Sequence, residues 1–103
     1  MLDTILCAVS KDNIVWRQHA LSRMLERNIS RSDVVLAIQS GIIIESYPEA
    51  KPYPGCLIAG SSEKKNIHAV VAYDTASEAV YIITVYVPDL KHFQQNGIPT
   101  KKR

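Results

Sequence analysis

The segment HALSRMLERNIS, residues 19–30, places side chains suited to phosphate chemistry four residues apart: His19, Arg23 and Arg27. Histidine exchanges a proton near neutral pH, and arginine offers a planar set of donors that matches phosphate oxygens. Together they suit attack of an RNA 2′-hydroxyl on its own phosphate, which needs a base, an acid and a stabilising cation. The same spacing also fits a solvated helix face whose charge is balanced by Glu26, and on spacing alone that interpretation is favoured.

A second histidine lies in the second half of the chain. His68 belongs to IHAVVAYD, residues 67–74, where strand alternation places it on the face opposite Ile67 and Ala69. It is a candidate for a second acid or base. The alternative is a half-buried histidine bonded to a neighbour.

Further candidates could hold substrate. Thr84 and Tyr86 share one face of AVYIITVYV, residues 79–87, and Tyr81 is predicted on the other face. A hydroxyl there would bond a phosphate, and a tyrosine would stack on a base. Lys51 lies between tyrosines in the proline-rich loop 47–55, which suits single-stranded nucleic acid. Threonine and tyrosine are common in strands and turns anyway, so a structural role stays open.

Composition limits the function classes. The chain has 103 residues and a net charge of +2. This net charge is too small for DNA binding by charge alone. No stretch reaches the roughly 18 apolar residues of a membrane span. The histidines and two cysteines match no metal-ligand spacing, and Cys7 is predicted to be core. We expect a cytoplasmic protein with no membrane, cofactor or metal.

The elements that position these residues are predicted from periodicity. Helices are expected over 2–10 and 17–28, and a third begins at the N-cap Ser30 and ends near Gly41. Strands are expected over 42–46, 56–60, 67–74 and 79–87. This order predicts an α+β fold with N-terminal helices packed on one face of a four-stranded antiparallel sheet. We expect one domain over 1–103, with a core at 15–90 and a polar C-terminal tail at 89–103.

Five blocks of the chain resemble a family of small bacterial proteins known as a domain of unknown function. They are HALSRMLERNIS, DVVLAIQSGIIIESYPE, PYPGCLI, IHAVVAYD and VYIITVYVPD. The resemblance covers about residues 15–90, and its signature is a His-Ala, Arg-Met and Arg motif on one helix. The family is thought to belong with RelE-like, MqsR-like and barnase–EndoU–colicin ribonucleases and toxins. The resemblance therefore implies a RelE/barnase-like fold with an RNA site on the exposed face of the sheet.

The resemblance carries over residue by residue. The positions that match its helix motif, third strand and last strand are His19, Arg23, Arg27, His68, Thr84 and Tyr86. Two positions depart from it: Val87 stands where relatives often have glutamate, and Gly55 where many have a more polar residue. The resemblance also implies a small zinc-finger antitoxin-like partner.

These observations predict a metal-independent endoribonuclease toxin that acts on mRNA. Its predicted catalytic residues are His19, Arg23 and His68, and its predicted substrate-binding residues are Arg27, Lys51, Thr84 and Tyr86. One alternative is a non-catalytic RNA- or protein-binding module that uses the same basic helix face. Another is a structural role in which Arg23 pairs with Glu45 or Asp74. The partners considered are RNA, the antitoxin-like protein and a second copy of the chain.

Overall fold

Three helices account for most of the first half of the chain. The computed structural model describes residues 1–63 and 65–88, and its helices are α1 (Leu2–Ser10), α2 (Gln18–Glu26) and α3 (Arg31–Ser40). The predicted N-cap Ser30 is confirmed, and the start of α3 is a capping box. The Asp33 N–H donates to Ser30 Oγ at 3.0 Å, and the Ser30 N–H donates to Asp33 Oδ2 at 2.9 Å. The predicted tail at 89–103 lies outside the described residues.

Five strands form one sheet in the order β1-β5-β4-β3-β2. They are β1 (Ile14–Trp16), β2 (Ile42–Tyr47), β3 (Gly55–Ser62), β4 (Lys65–Asp74) and β5 (Ala79–Tyr86). The pairs from β2 to β5 are antiparallel, whereas β1 runs parallel to β5. The predicted α+β class with N-terminal helices is confirmed, and the four expected strands are joined by β1 as a fifth.

The core lies between the helices and one face of the sheet. Residues of α1, α2 and α3 share a single apolar cluster with alternate residues of the strands, including Ile58, Val71 and Ile82. The backbones of α3 and β3 approach each other closely at Gly60. A Cβ placed on Gly60 would lie only 1.8 Å from the Ala37 carbonyl oxygen, so this position admits no side chain.

The short strand β1 determines where α2 begins. The Val80 N–H donates to the Asn13 carbonyl oxygen, and the Asn13 side chain donates to the Glu78 carbonyl oxygen at 2.7 Å. After β1, the Arg17 N–H donates to the Ile82 carbonyl oxygen at 3.3 Å. These bonds hold the first turn of α2 at the edge of the sheet. Among the described residues, no helix is long and apolar enough to cross a membrane.

Candidate functional site

Polar and aromatic side chains gather on the face of the sheet that points away from the three helices, here called the distal face. On β4 and β5, three register pairs lie on this face: Ala72 with Tyr81, Val70 with Thr84, and His68 with Tyr86. The pairs between them, such as Ala69 with Val85, belong to the core beneath the helices. The strand residues that define the distal face are Glu45, Tyr47, His68, Tyr81, Thr84 and Tyr86.

A β-bulge in β5 brings Tyr81 onto the distal face. Ile82 pairs with Val71 and Thr84 with Val70, which leaves Ile83 as an extra residue in β5. The predicted placement of Tyr81 on the opposite face from Thr84 was wrong, because an extra residue reverses strict alternation. Tyr81, Thr84 and Tyr86 therefore share one surface.

A second bulge acts in the same way on the edge strand β2. Ile43 pairs with Ile58 and Glu45 with Leu57, so Ile44 is the extra residue. Ile43 packs against the core, and Glu45 joins the distal face. The Tyr47 hydroxyl donates to Glu45 Oε1 at 2.5 Å.

The carboxylate of Glu45 influences both neighbouring tyrosines. Its hydrogen bond is the main reason that the pKa of Tyr47 is raised to about 12. The pKa of Tyr86 is also raised, first by burial and then by the charge of Glu45. Both phenols therefore stay protonated at neutral pH, and their hydroxyl groups are neutral hydrogen-bonding groups.

His68 is buried in the middle of this surface, with a relative exposure of 0%. Its Nδ1 lies 3.2 Å from the Tyr86 hydroxyl oxygen, and the two rings meet edge to face. Burial and this bond agree with the structural alternative for His68. The role of second acid or base stays a prediction.

A cationic depression opens where α2 meets the edge of the distal face. It has a volume of about 530 Å³ and is lined by Arg17, Gln18, His19, Lys51, Pro52 and Ile83. The loop between β2 and β3 brings Lys51 across the sheet to the start of α2. His19 is exposed there, beside two side chains that carry positive charge.

A smaller tyrosine cavity adjoins the cationic depression. Its volume is about 180 Å³, and its walls include Tyr47, Tyr53 and Tyr81. Four residues line both hollows: Arg17, Lys51, Pro52 and Ile83. The Tyr53 and Tyr81 rings stack with centroids 5.2 Å apart and an angle of 23° between their planes. The pKa of Tyr53 is raised, mainly by its hydrogen bond with Tyr81.

The two predicted arginines of α2 lie further along the helix. Arg23 and Arg27 are four and eight residues beyond His19, which is about 6 and 12 Å of rise along the axis. Arg23 Nη1 is 3.2 Å from Glu26 Oε1, and both side chains are exposed. The structural alternative named Glu45 or Asp74 as the partner, and the observed partner is Glu26. Arg27 is exposed at the C-cap of α2.

The predicted site residues thus divide into three places. His19 and Lys51 meet in the cationic depression. Arg23 and Arg27 lie on the exposed side of α2 beyond its first turn, here called the outer stripe of α2. Thr84, Tyr86 and His68 lie together on the distal face. His68 pairs with Tyr86, which is three residues, or about 10 Å, beyond Ile83 along β5. Ile83 lines the depression together with His19, and His68 does not.

Sequence reasoning missed Arg17 and Tyr81 as site residues. Arg17 was assigned only to the start of a helix, because β1 has three residues and leaves a weak periodic signal. Its neighbours were the available signal, since Arg17, Gln18 and His19 place a cation and a histidine directly before an apolar helical pattern. Tyr81 was missed because of the bulge at Ile83.

The cysteines do not join the site. Cys56 is fully buried, and burial raises the pKa of its thiol to about 11. Cys7 is exposed rather than core, because Ile5, Ala8 and Val9 form the buried side of α1. Among the described residues, no group of three or more histidine, cysteine or acidic side chains is arranged to hold a metal ion.

Comparison with known proteins places the chain in a sequence family. A family model described as a domain of unknown function (DUF4258) matches residues 16–87. That range begins at Trp16, the last residue of β1, and ends just after β5, so it includes α2 and the distal face. No curated protein and no solved structure matches the chain.

Proposed function

The chain belongs to the DUF4258 family, a domain of unknown function, and from the site geometry we propose that it binds single-stranded RNA and cleaves it without a metal ion. The observation that supports this proposal is the cationic depression, where Arg17, His19 and Lys51 line one hollow at the edge of the distal face. The histidine is exposed and the cations flank it, which is the arrangement that phosphate chemistry needs.

The proposed reaction uses groups of this depression. His19 takes the proton from an RNA 2′-hydroxyl, and the 2′-oxygen attacks the adjacent phosphorus. The bond from phosphorus to the 5′-oxygen breaks, and the leaving oxygen takes a proton from the Lys51 ammonium group. The products are a 2′,3′-cyclic phosphate and a 5′-hydroxyl. Arg17 binds the phosphate oxygens, and the first N–H groups of α2 add positive potential beside it.

The distal face gives the RNA a path beyond the depression. Thr84 directly follows Ile83 on β5, Tyr86 lies about 10 Å beyond Ile83, and the side chains of both residues belong to the distal face. Tyrosines arranged beside cations suit a single strand, whose bases stack on aromatic rings while its phosphates contact basic side chains. In this proposal Arg23 and Arg27 are outer contacts rather than members of the reacting site.

The relationship to RelE-like and MqsR-like ribonuclease toxins is part of the same proposal. It is supported by the helix motif around His19 and by a sheet with helices on one face and polar groups on the other. A small zinc-finger antitoxin-like partner is proposed on the same basis. Such an inhibitor would act most directly by covering Lys51 and His19.

A non-catalytic RNA-binding module is the second candidate. The observation in its favour is the burial of His68 against Tyr86, which leaves His19, among the histidines that the structure describes, as the one that lines the depression. A binder would use the same cations and tyrosines. The two candidates differ in the effect of His19→Ala. In a binding module the substitution changes RNA affinity or has no effect, whereas in an enzyme it removes turnover.

The test is cleavage of short RNAs in EDTA, with mass spectrometry of the product ends. The proposal expects 2′,3′-cyclic phosphate ends, and a loss in kcat of about 10²- to 10⁴-fold for His19→Ala with KM little changed. Arg17→Ala and Arg23→Ala are a matched pair on either side of His19. Arg17→Ala should lower kcat/KM strongly, and Arg23→Ala should change it less than threefold. Intact RNA across varied sequences would refute the catalytic proposal, and intact RNA that is still bound would favour the binding module.

A further inference from the structure

We propose that the tyrosine cavity is a nucleobase subsite, which receives one base of an RNA strand while the cationic depression holds the attached phosphate. This inference rests on the proposed function and adds the part of the substrate that the site recognises. It is argued from the size, walls and rim of the cavity.

The size of the cavity suits one planar ring system. Its volume of about 180 Å³ is below the roughly 300–1,000 Å³ of pockets for drug-sized ligands. It is still about six times the volume of one water molecule, which is about 30 Å³ in the liquid. A single base fits this range, and a helix or strand of a partner protein does not.

The walls of the cavity are held in place before any ligand arrives. Tyr53 stacks on Tyr81, and Tyr47 is held by its hydrogen bond to Glu45. Rigid aromatic walls lose little conformational freedom on binding, so more of the stacking energy appears as affinity. The Tyr47 hydroxyl also stays uncharged at neutral pH, since its pKa is raised to about 12.

The rim of the cavity fixes where the phosphate must lie. Arg17 and Lys51 line both the tyrosine cavity and the cationic depression. A ligand that fills both hollows therefore needs an aromatic ring joined closely to an anion. A nucleotide has both parts, whereas an acidic side chain would satisfy the cations and leave the tyrosine walls unfilled.

The experiment compares uridine and adenosine 5′-monophosphates with ribose 5-phosphate, which lacks a base, by calorimetric titration of the wild-type chain. Stacking of about 1–3 kcal/mol for one base predicts that the better nucleotide binds about 5- to 150-fold more tightly than ribose 5-phosphate. Tyr53→Ala should reduce this preference to about twofold or less and leave the affinity for ribose 5-phosphate unchanged. Tyr53→Phe keeps the ring, and should keep the preference.

Two further measurements make the result independent of one variant. In wild type, 4-thiouridine 5′-monophosphate should photocrosslink to the loop at 47–55 or to the strand around Tyr81. In an RNA oligomer, one abasic residue at the bound position should weaken binding by the same factor as removal of the base from the nucleotide. A crosslink confined to α3 would overturn the subsite.

The outcomes separate this inference from the proposed function. If RNA is cleaved but ribose 5-phosphate binds as tightly as both nucleotides, the subsite is wrong and the catalytic proposal stands. If no RNA is cleaved but the nucleotide preference depends on the Tyr53 ring, the subsite stands and the catalytic proposal is wrong. If Tyr53→Ala folds and keeps the full preference, the base binds elsewhere and the inference is overturned.

Discussion

Replacing Asp33 with asparagine should destabilise the fold by an amount that depends on pH. Asp33 Oδ2 accepts from the Ser30 N–H, Asp33 Oδ1 accepts from the Ser62 hydroxyl at 2.6 Å, and Lys65 Nζ is 3.4 Å from Oδ2. These groups lower the pKa of Asp33 from 3.8 to about 2, and the Ser30 backbone bond contributes most. The carboxylate therefore joins the start of α3 to β3 and β4.

The size of the effect follows from the two pKa values. The gap between 3.8 and about 2 corresponds to roughly 2 kcal/mol of stability at neutral pH, at about 1.36 kcal/mol for each pH unit, and solvent screening of this partly exposed carboxylate lowers that figure. Asparagine keeps one carbonyl oxygen and part of the cap, so we expect Asp33→Asn to lose about 1–2 kcal/mol. In a domain of this size, that lowers Tm by roughly 5–15 °C.

The pH dependence has a defined sign. The pKa of Asp33 is lower in the folded state, so its stabilisation is complete above pH 4–5 and is lost as the pH falls through about 2. Between pH 7 and pH 3, the wild-type chain should lose up to about 1 kcal/mol of stability from this group. The Asp33→Asn variant lacks the titrating group and loses no stability from it. The difference in free energy of unfolding between wild type and variant should therefore narrow by up to that amount.

Urea unfolding of both proteins at pH 3, 4, 5.5 and 7 would measure this gap. Asp3→Asn is the matched control, because Asp3 is also in a first turn but belongs to a helix without a side-chain cap. The control should change the free energy of unfolding by less than about 0.5 kcal/mol. An Asp33→Asn gap that is constant from pH 7 to pH 3 would refute the assignment of this stability to the charged carboxylate.

Three other predictions concern packing, the distal face and charge. Gly60→Ala should lower stability by at least about 2–3 kcal/mol in urea unfolding, because its methyl group overlaps the Ala37 carbonyl oxygen; a shift below about 0.5 kcal/mol would contradict the packing. Tyr86→Phe should cost about 0.5–1.5 kcal/mol through the lost bond to His68, measured by thermal unfolding, and an unchanged Tm would contradict that bond. Lys51→Gln should reduce the slope of log affinity against log salt for single-stranded RNA by about 0.7, and an unchanged slope would place Lys51 away from phosphate.

The order of elements was predictable because its local signals agree. Ser30, followed by Asp33 and an apolar run, predicted the start of α3, and the capping box is present. The apolar runs at 67–74 and 79–87 predicted two strands, which the structure contains as β4 and β5. β1 was not predicted. Its three residues are stabilised by pairing with β5, a partner more than sixty residues away in the chain.

The composition of the site was less predictable than the fold. His19 was found by its spacing, but the same spacing grouped it with Arg23 and Arg27, which lie further along α2 and do not line the depression. The partners of His19 come from other segments, since Lys51 is brought over by a loop and Arg17 is positioned by β1. A bulge decides which side of a strand a residue occupies, and local sequence patterns rarely specify one.

The central claim is that RNA phosphate binds in the cationic depression and not on the outer stripe of α2. The most direct test is titration of the ¹⁵N-labelled protein with a 2′-O-methyl RNA oligomer, which has no free 2′-hydroxyl for attack. We expect the largest amide shifts at Arg17, His19 and Lys51, with smaller shifts toward Tyr86. Shifts that cluster around Arg23 and Arg27, or no shifts at millimolar RNA, would contradict the claim.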